Sequence, residues 1–264
     1  MLASSAPLSL PDARVRGVLH CGAMSLDIVD IRDFYASSLG QMAARMIRRQ
    51  IRFIWPDAKG LAVLGLGYAT PYLNYFRSGG GAARVLAAMP ASQGVLPWPA
   101  DGSCLTTLAD EADLPFPDLS IDRVLLIHAL EITEQVQPMM REIWRVLSGS
   151  GRLLVVAPNR RGIWARLDRT PFGYGQPYSS GQLSRLLRET MFTPVKAHAA
   201  LFAPPSRSRM VLASARAWEG LGQRGIAPFA GVVMIEATKQ IYAGHPVAQR
   251  RRRAYLALPQ GPRV

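Results

Sequence analysis

The chain has 264 residues, 49% of them apolar and 19% charged, with 23 Gly and 20 Pro in no repeating period, a composition that excludes a largely disordered or collagen-like chain. No apolar stretch reaches the roughly 18 residues of a membrane-spanning helix, and Asp12, Arg14 and Arg16 stand where a secretory leader needs its apolar core. The net charge is +13, almost all of it from Arg (Lys stands only at 59, 196 and 239), which favours acidic partners such as nucleic acid or an anionic substrate, while two cysteines, Cys21 and Cys104, build no disulfide framework and point to a reducing cytoplasm.

Residues 1–23 show no periodicity and carry Ser4, Ser5, Pro7, Pro11 and Gly17, the composition of a flexible arm; Met24 offers a second translation start. From Ser25 the pattern is helical, with Ser25 as cap and Asp27 in the first turn, where the helix dipole favours a negative charge. Gly40 marks a break. Beyond it Met42, Met46, Ile47, Ile51 and Ile54 share one helical face, and Arg45, Arg48, Arg49 and Arg52 share the opposite one, a stripe that reads first as a solvated face. Pro56-Asp57 ends this helix. Strands and helices then alternate. Leu61–Leu64 is a short apolar run, followed by a glycine turn and a helix that Thr70-Pro71 opens and Gly79-Gly80-Gly81 stops. Arg84–Met89 is a second buried strand. Ser103–Leu108 is a third, with Cys104 in its core, after a Pro/Gly-rich loop. Asp122–His128 is a fourth strand, Gln135–Leu147 a helix, and Arg152–Ala157 a fifth strand ended by Pro158. A helix over 179–190 with Ser179 as cap, extended segments over 194–202 and 229–242, and an intervening helix over 208–220 complete the pattern. Continuous apolar strands separated by helices predict a parallel sheet covered on both faces, in a single domain over residues 24–245. Residues 246–264, with Arg250–Arg253, read as a basic, disordered tail.

Three histidines, His20, His198 and His245, are scattered without a metal-ligand spacing, and no Ser-His-Asp arrangement can be placed. The chemistry concentrates around the first strand. Gly65-Leu66-Gly67-Tyr68-Ala69 is a strand-to-helix glycine turn, where the missing side chains let the backbone turn tightly and approach a ligand near a helix N-terminus. Three further segments follow in order: Asp110-Glu111-Ala112-Asp113-Leu114-Pro115-Phe116 before the fourth strand, His128-Ala129-Leu130-Glu131 after it, and Arg145-Val146-Leu147-Ser148-Gly149-Ser150-Gly151 leading into the fifth. In this order and spacing they resemble the class I S-adenosylmethionine-dependent methyltransferases, and more narrowly their small-molecule branch, over residues 60 to 160.

The resemblance implies a Rossmann-like, mostly parallel seven-stranded sheet and S-adenosylmethionine as cofactor. It implies that Gly65, Leu66, Gly67 and Tyr68 pass under the methionine and ribose parts of that cofactor, and that Met89 lies beside the ribose. Asp110 or Glu111 would reach the adenine amino group, with His128 and Leu130 lining the pocket. Two positions depart from the family pattern. Val63 replaces the usual acidic residue two before the first glycine, and Ala88-Met89 replaces the ribose-binding carboxylate at the end of strand two. Hydrogen bonds to a charged group contribute about 1.5–3 kcal/mol each. Their loss weakens binding by about tenfold to several hundredfold unless Asp110, Glu111 or Glu131 compensates.

After strand five the segment Asn159-Arg160-Arg161-Gly162-Ile163-Trp164-Ala165-Arg166, followed by Phe172 and Tyr174, combines Arg forks with aromatic faces at the sheet's carboxyl edge. Asn159, Arg160, Arg161, Trp164, Arg166 and Tyr174 are therefore the candidate residues for an anionic acceptor or a stacked ring. The alternative is a packed crossover with Trp164 and Phe172 in the core. The leading expectation is methyl transfer to a small, anionic molecule. Set beside it are a non-catalytic methyltransferase-like module that binds a partner, and an RNA-binding or RNA-modifying methyltransferase, which the +13 charge and Arg250–Arg253 support, with nucleic acid met through the Arg-rich surface.

Overall fold

A computed structural model describes residues 27–222 and 229–241; the expected arm, Ser25 as cap, His20, Cys21, His245 and the basic tail lie outside the described residues. The chain opens with α1 (Ile28–Ala36) and α2 (Ser38–Ile54). Asp27 is the N-cap of α1, its carboxylate accepting the Val29 N–H at 3.3 Å. The break expected at Gly40 falls at Ser37, whose hydroxyl oxygen accepts the Gly40 N–H at 3.1 Å and so caps α2. Gly40 itself lies inside α2. A Cβ there would stand 2.0 Å from the Phe34 carbonyl oxygen, so its smallness lets the two helices meet at a sharp corner.

The alternation that follows gives β1 (Ala62–Gly67), α3 (Thr70–Ser78), β2 (Arg84–Pro90), β3 (Thr106–Ala109), β4 (Ile121–Ile127), α4 (Val136–Val146) and β5 (Leu147–Pro158). Two short 3-10 turns, Trp164–Arg166 and Pro171–Gly173, cross to α5 (Ser180–Glu189), β6 (Phe192–Ala200), α6 (Arg209–Ala213), α7 (Ala215–Gly222) and β7 (Val232–Lys239). The seven strands pair in the order β3-β2-β1-β4-β5-β7-β6, parallel except for β7, which runs against both neighbours. The order reverses between β1 and β4, the position where open α/β sheets bind ligands beyond the strands' carboxyl ends.

Alternate residues feed two cores. Val63, Leu125, Ile127, Leu154 and Met234 face α1, α2 and α3, whereas Leu64, Leu126, Val155 and Ile235 face α4 and α5. Because both faces are covered, the strands read as unbroken apolar runs. The segment that carries Leu114-Pro115-Phe116 is clipped to α4 by a single guanidinium: Arg145 donates to the carbonyls of Leu114 and Phe116, both at 2.9 Å, and pairs with Asp118 and Glu142. Ser179 and Gln182 form a reciprocal capping box at the start of α5.

Several boundaries differ from the sequence expectation. The third strand starts at Thr106 rather than Ser103, and Cys104 is exposed outside it rather than in a strand core. The helix expected over 208–220 divides at Ser214 into α6 and α7. Ala69, not Thr70, is the N-cap of α3, and its methyl group leaves the first turn without a side-chain cap. Among the described residues no helix is long and apolar enough to cross a membrane, and no cluster of three or more His, Cys, Asp or Glu could hold a metal ion.

Candidate active site at the carboxyl edge

The β1–α3 turn is built on two close approaches. A Cβ on Gly65 would meet Ala69 Cβ at 2.6 Å, and one on Gly67 would meet the Ile127 carbonyl oxygen at 2.1 Å. Gly67 also has φ +82°, a left-handed conformation that disfavours any side chain. The turn is therefore as tight as the chain permits, and it packs against the end of β4. Register brings the other strand ends alongside. Gly67 pairs with Ile127 and Leu66 with Ala88, so Met89, His128 and Leu130 gather with the glycine turn at one edge. Leu66, Met89 and Leu130 are buried.

Helix α1 lies across this edge. The Ile28 N–H donates to the Gln93 carbonyl at 3.1 Å, and the Tyr35 ring stacks on Tyr68 with centroids 5.5 Å apart. The Tyr35 hydroxyl lies 2.8 Å from the Tyr72 hydroxyl and 2.8 Å from His128 Nε2; His128 Nδ1 lies 3.1 Å from Glu131 Oε1. A carboxylate can only accept, so Nδ1 carries a proton toward Glu131 and Nε2 accepts from Tyr35 in the neutral ring. The order Tyr72, Tyr35, His128, Glu131 is then a continuous run of donors and acceptors inside the protein. Burial is the main cause that raises the Tyr35 and Tyr72 pKa values above the ordinary phenol range, and the neighbouring Tyr72 adds to it for Tyr35. Both phenols stay protonated and act as hydrogen-bond donors. His128 has φ +53°, a strained conformation for a non-glycine residue, and Gln93 Nε2 donates to its carbonyl at 2.5 Å.

Two buried acceptors at this edge, Gln93 Oε1 and Glu131 Oε2, have no hydrogen-bond partner. Glu111 is buried and accepts from Thr133 Oγ1 at 2.9 Å, whereas Asp110 is exposed and spends one oxygen on the Ala112 N–H of its own turn.

The six acceptor candidates do not converge. Asn159 Oδ1 accepts the Arg161 N–H at 3.2 Å and its amide donates to the Ala230 carbonyl; both residues line a cavity of about 490 Å³ with Ser179, Ser180 and His198. Trp164 is in the core, its indole N–H donating to the Ala203 carbonyl at 2.8 Å, and Phe172 packs edge-on against it. Arg160 and Arg166 are exposed. Tyr174 lines a different groove, beside Asp30, Asp33 and Asp168.

Tyr35, Tyr72 and Gln93 had no motif to mark them. Tyr35 is 93 residues from His128 in sequence. Its one signal is a Tyr on the apolar side of the first helix, which core packing explains equally well.

Residues 65–155 match the family model of the methyltransferase domain. No curated protein matches the chain. Among solved structures, the chain is similar to an S-adenosylmethionine-dependent methyltransferase from Thermotoga maritima, at 16% identity over 81% of this chain and 96% of that one, with a TM-score of 0.58. It is similar to a methyltransferase from Mesorhizobium loti at 16% identity over 72% and 96%, TM-score 0.51. The [4+2]-cyclase SpnF is similar at 21% identity over 77% and 83%, TM-score 0.53. At these identities the neighbours speak for the fold alone, and one of them carries out a cyclisation on it. Family model, motif order and strand topology agree: residues 65–155 match a methyltransferase domain, and the chain shares the fold of S-adenosylmethionine-dependent methyltransferases.

Proposed function

We propose that the protein binds S-adenosylmethionine at the carboxyl edge of β1, β2 and β4 and transfers its methyl group to an anionic small-molecule acceptor. The observation that carries this reading is the pair of buried, unpartnered acceptor atoms, Gln93 Oε1 and Glu131 Oε2. Leaving such an atom unpaired costs about 1–3 kcal/mol. Both therefore suit a ligand that presents hydroxyl or ammonium donors and positive charge, and the residues present fit the cofactor on those terms. Gln93, three residues past the end of β2, takes the place of the carboxylate missing at Ala88-Met89. Glu131 supplies negative charge for a sulfonium in a strongly basic chain. The first turn of α3 has no side-chain cap, and because Pro71 has no N–H and Tyr72 donates to the Ala69 carbonyl, Thr70 supplies that turn's N–H nearest Gly67.

When bound, the cofactor supplies an electrophilic methyl group for in-line displacement. Such a reaction needs alignment and exclusion of water more than a strong base. On this reading Tyr35 and Tyr68 close the edge, Glu131 and Tyr35 hold the His128 ring in one orientation, and Arg161 with Asn159 receives a carboxylate or phosphate on the acceptor.

Calorimetric titration with S-adenosylhomocysteine, then S-adenosylmethionine, tests this. Saturable one-to-one binding in the micromolar range is expected, with Gln93→Ala and Glu131→Gln each weakening it about tenfold. No binding near about 1 mM ligand by a folded sample overturns the proposal. It would favour the module that acts through a partner, the reading that Val63 and Ala88-Met89 support.

A further inference from the structure

Three neighbouring grooves, each sharing lining residues with the next, lie along the exposed side of α2 and the edge strand β6. The first, of about 380 Å³, lies between α2 and α7 and is walled by Arg45, Arg49, Arg52 and Arg216. It shares Arg49 with a second of about 410 Å³, walled also by Phe53, Lys196 and His198. The second shares His198 with the cavity that contains Arg161. No Asp or Glu lines any of the three. None of Arg45, Arg49, Arg52 and Arg216 forms an ion pair with a described carboxylate. The carboxylate that feels Arg49, that of Glu219, is buried and accepts the Phe202 N–H at 2.8 Å. In the second groove Phe53 is 69% exposed, its ring edge-on to His198 at 6.1 Å.

We infer that this face binds single-stranded nucleic acid. A compact anion is held by charges that converge on one cavity. Here the cations are strung along neighbouring grooves, the arrangement that tracks a phosphodiester backbone, with an exposed aromatic face on which a base can stack. Guanidinium forks suit phosphate oxygens, and the absence of acids along the path leaves the attraction uncancelled. The inference does not rest on the cofactor reading: apart from Arg161 and Asn159 at the far end, no residue of the path belongs to the proposed site.

The test is fluorescence anisotropy of a labelled oligouridylate of about 12 nucleotides, titrated with the full chain without cofactor at about 50 and about 200 mM salt. Affinity is expected to fall steeply with salt. Joint substitution Arg45→Ala, Arg49→Ala and Arg216→Ala should weaken binding at least about tenfold and lower the slope of log K against log salt by about 2, as expected for three lost phosphate contacts. Phe53→Ala should weaken it about fivefold or more while the melting temperature holds, because that ring is solvent-exposed. Substituting Arg250–Arg253 by Ala in the full chain should weaken it less than the triple variant does. Wild-type affinity and slope in a folded triple variant overturn the inference. So does loss of all binding in the tail variant, or displacement of the oligonucleotide by inorganic pyrophosphate at equal phosphate concentration.

Discussion

The chain Tyr72–Tyr35–His128–Glu131 and the arginines of α2 are both rows of polar side chains beside a helix, yet they obey opposite rules. In the first, each group is buried and meets the next at 2.8–3.1 Å, so three separate elements must be in place for the whole row to be satisfied. In the second, Arg45, Arg49 and Arg216 are exposed, and water satisfies each alone. A buried polar group left unpaired carries its full desolvation cost, whereas an exposed one carries almost none. The buried row therefore specifies geometry, and the exposed row is free to specify a partner. Changes to the first should register as lost stability, and changes to the second only as lost binding.

The sharpest way to break the buried side is Gly67→Ala. Its Cβ would stand 2.1 Å from the Ile127 carbonyl oxygen at φ +82°, so thermal or urea unfolding should show a loss of about 3 kcal/mol or more, and the His128 end of β4 should shift. Tyr35→Phe keeps the packing but strands His128 Nε2 and the Tyr72 hydroxyl. Urea titration should show a loss of about 1–3 kcal/mol, with α1 the first element to exchange its amide hydrogens.

The Arg145–Glu142 pair, half-buried, lies between the two extremes. Hydrogen bonds from Arg145 hold the Glu142 carboxyl below its ordinary value of 4.5. A depressed acid contributes stability that is present above its unfolded value and lost as pH falls through the folded one. Glu142→Gln should therefore lower the melting temperature at neutral pH, and its deficit against the wild type should close on acidification below about 4. At the exposed end, Arg49→Ala should leave stability within about 0.5 kcal/mol of wild type by the same unfolding measurement. A larger loss would mean that its attraction to the buried Glu219 is structural and would erase the contrast.

Much of the fold was legible because its causes are local. Apolar runs punctuated by glycine marked β1, β2 and β4 to within three residues, whereas β5 begins at Leu147, through the Ser148–Gly151 segment expected as a turn, and Ser179 was readable as a cap, its partner Gln182 being three residues away. The motif segments were legible as a set, and the clip of Arg145 to Leu114 and Phe116 shows why two of them go together. The site was less legible. Gln93 lay in a Pro/Gly-rich loop with no periodicity, and its role emerges only where its amide meets the His128 carbonyl across 35 residues.

The sequence alone determined the alternation of elements, the two-faced burial of the sheet and the placement of the glycine turn, since each follows from spacing within a dozen residues. Tertiary structure decided which polar residues are paired, because burial depends on neighbours far along the chain. It put Tyr35 on His128, withdrew Trp164 into the core, and set the arginines of α2 beside Lys196 and Arg216 in two grooves that share Arg49.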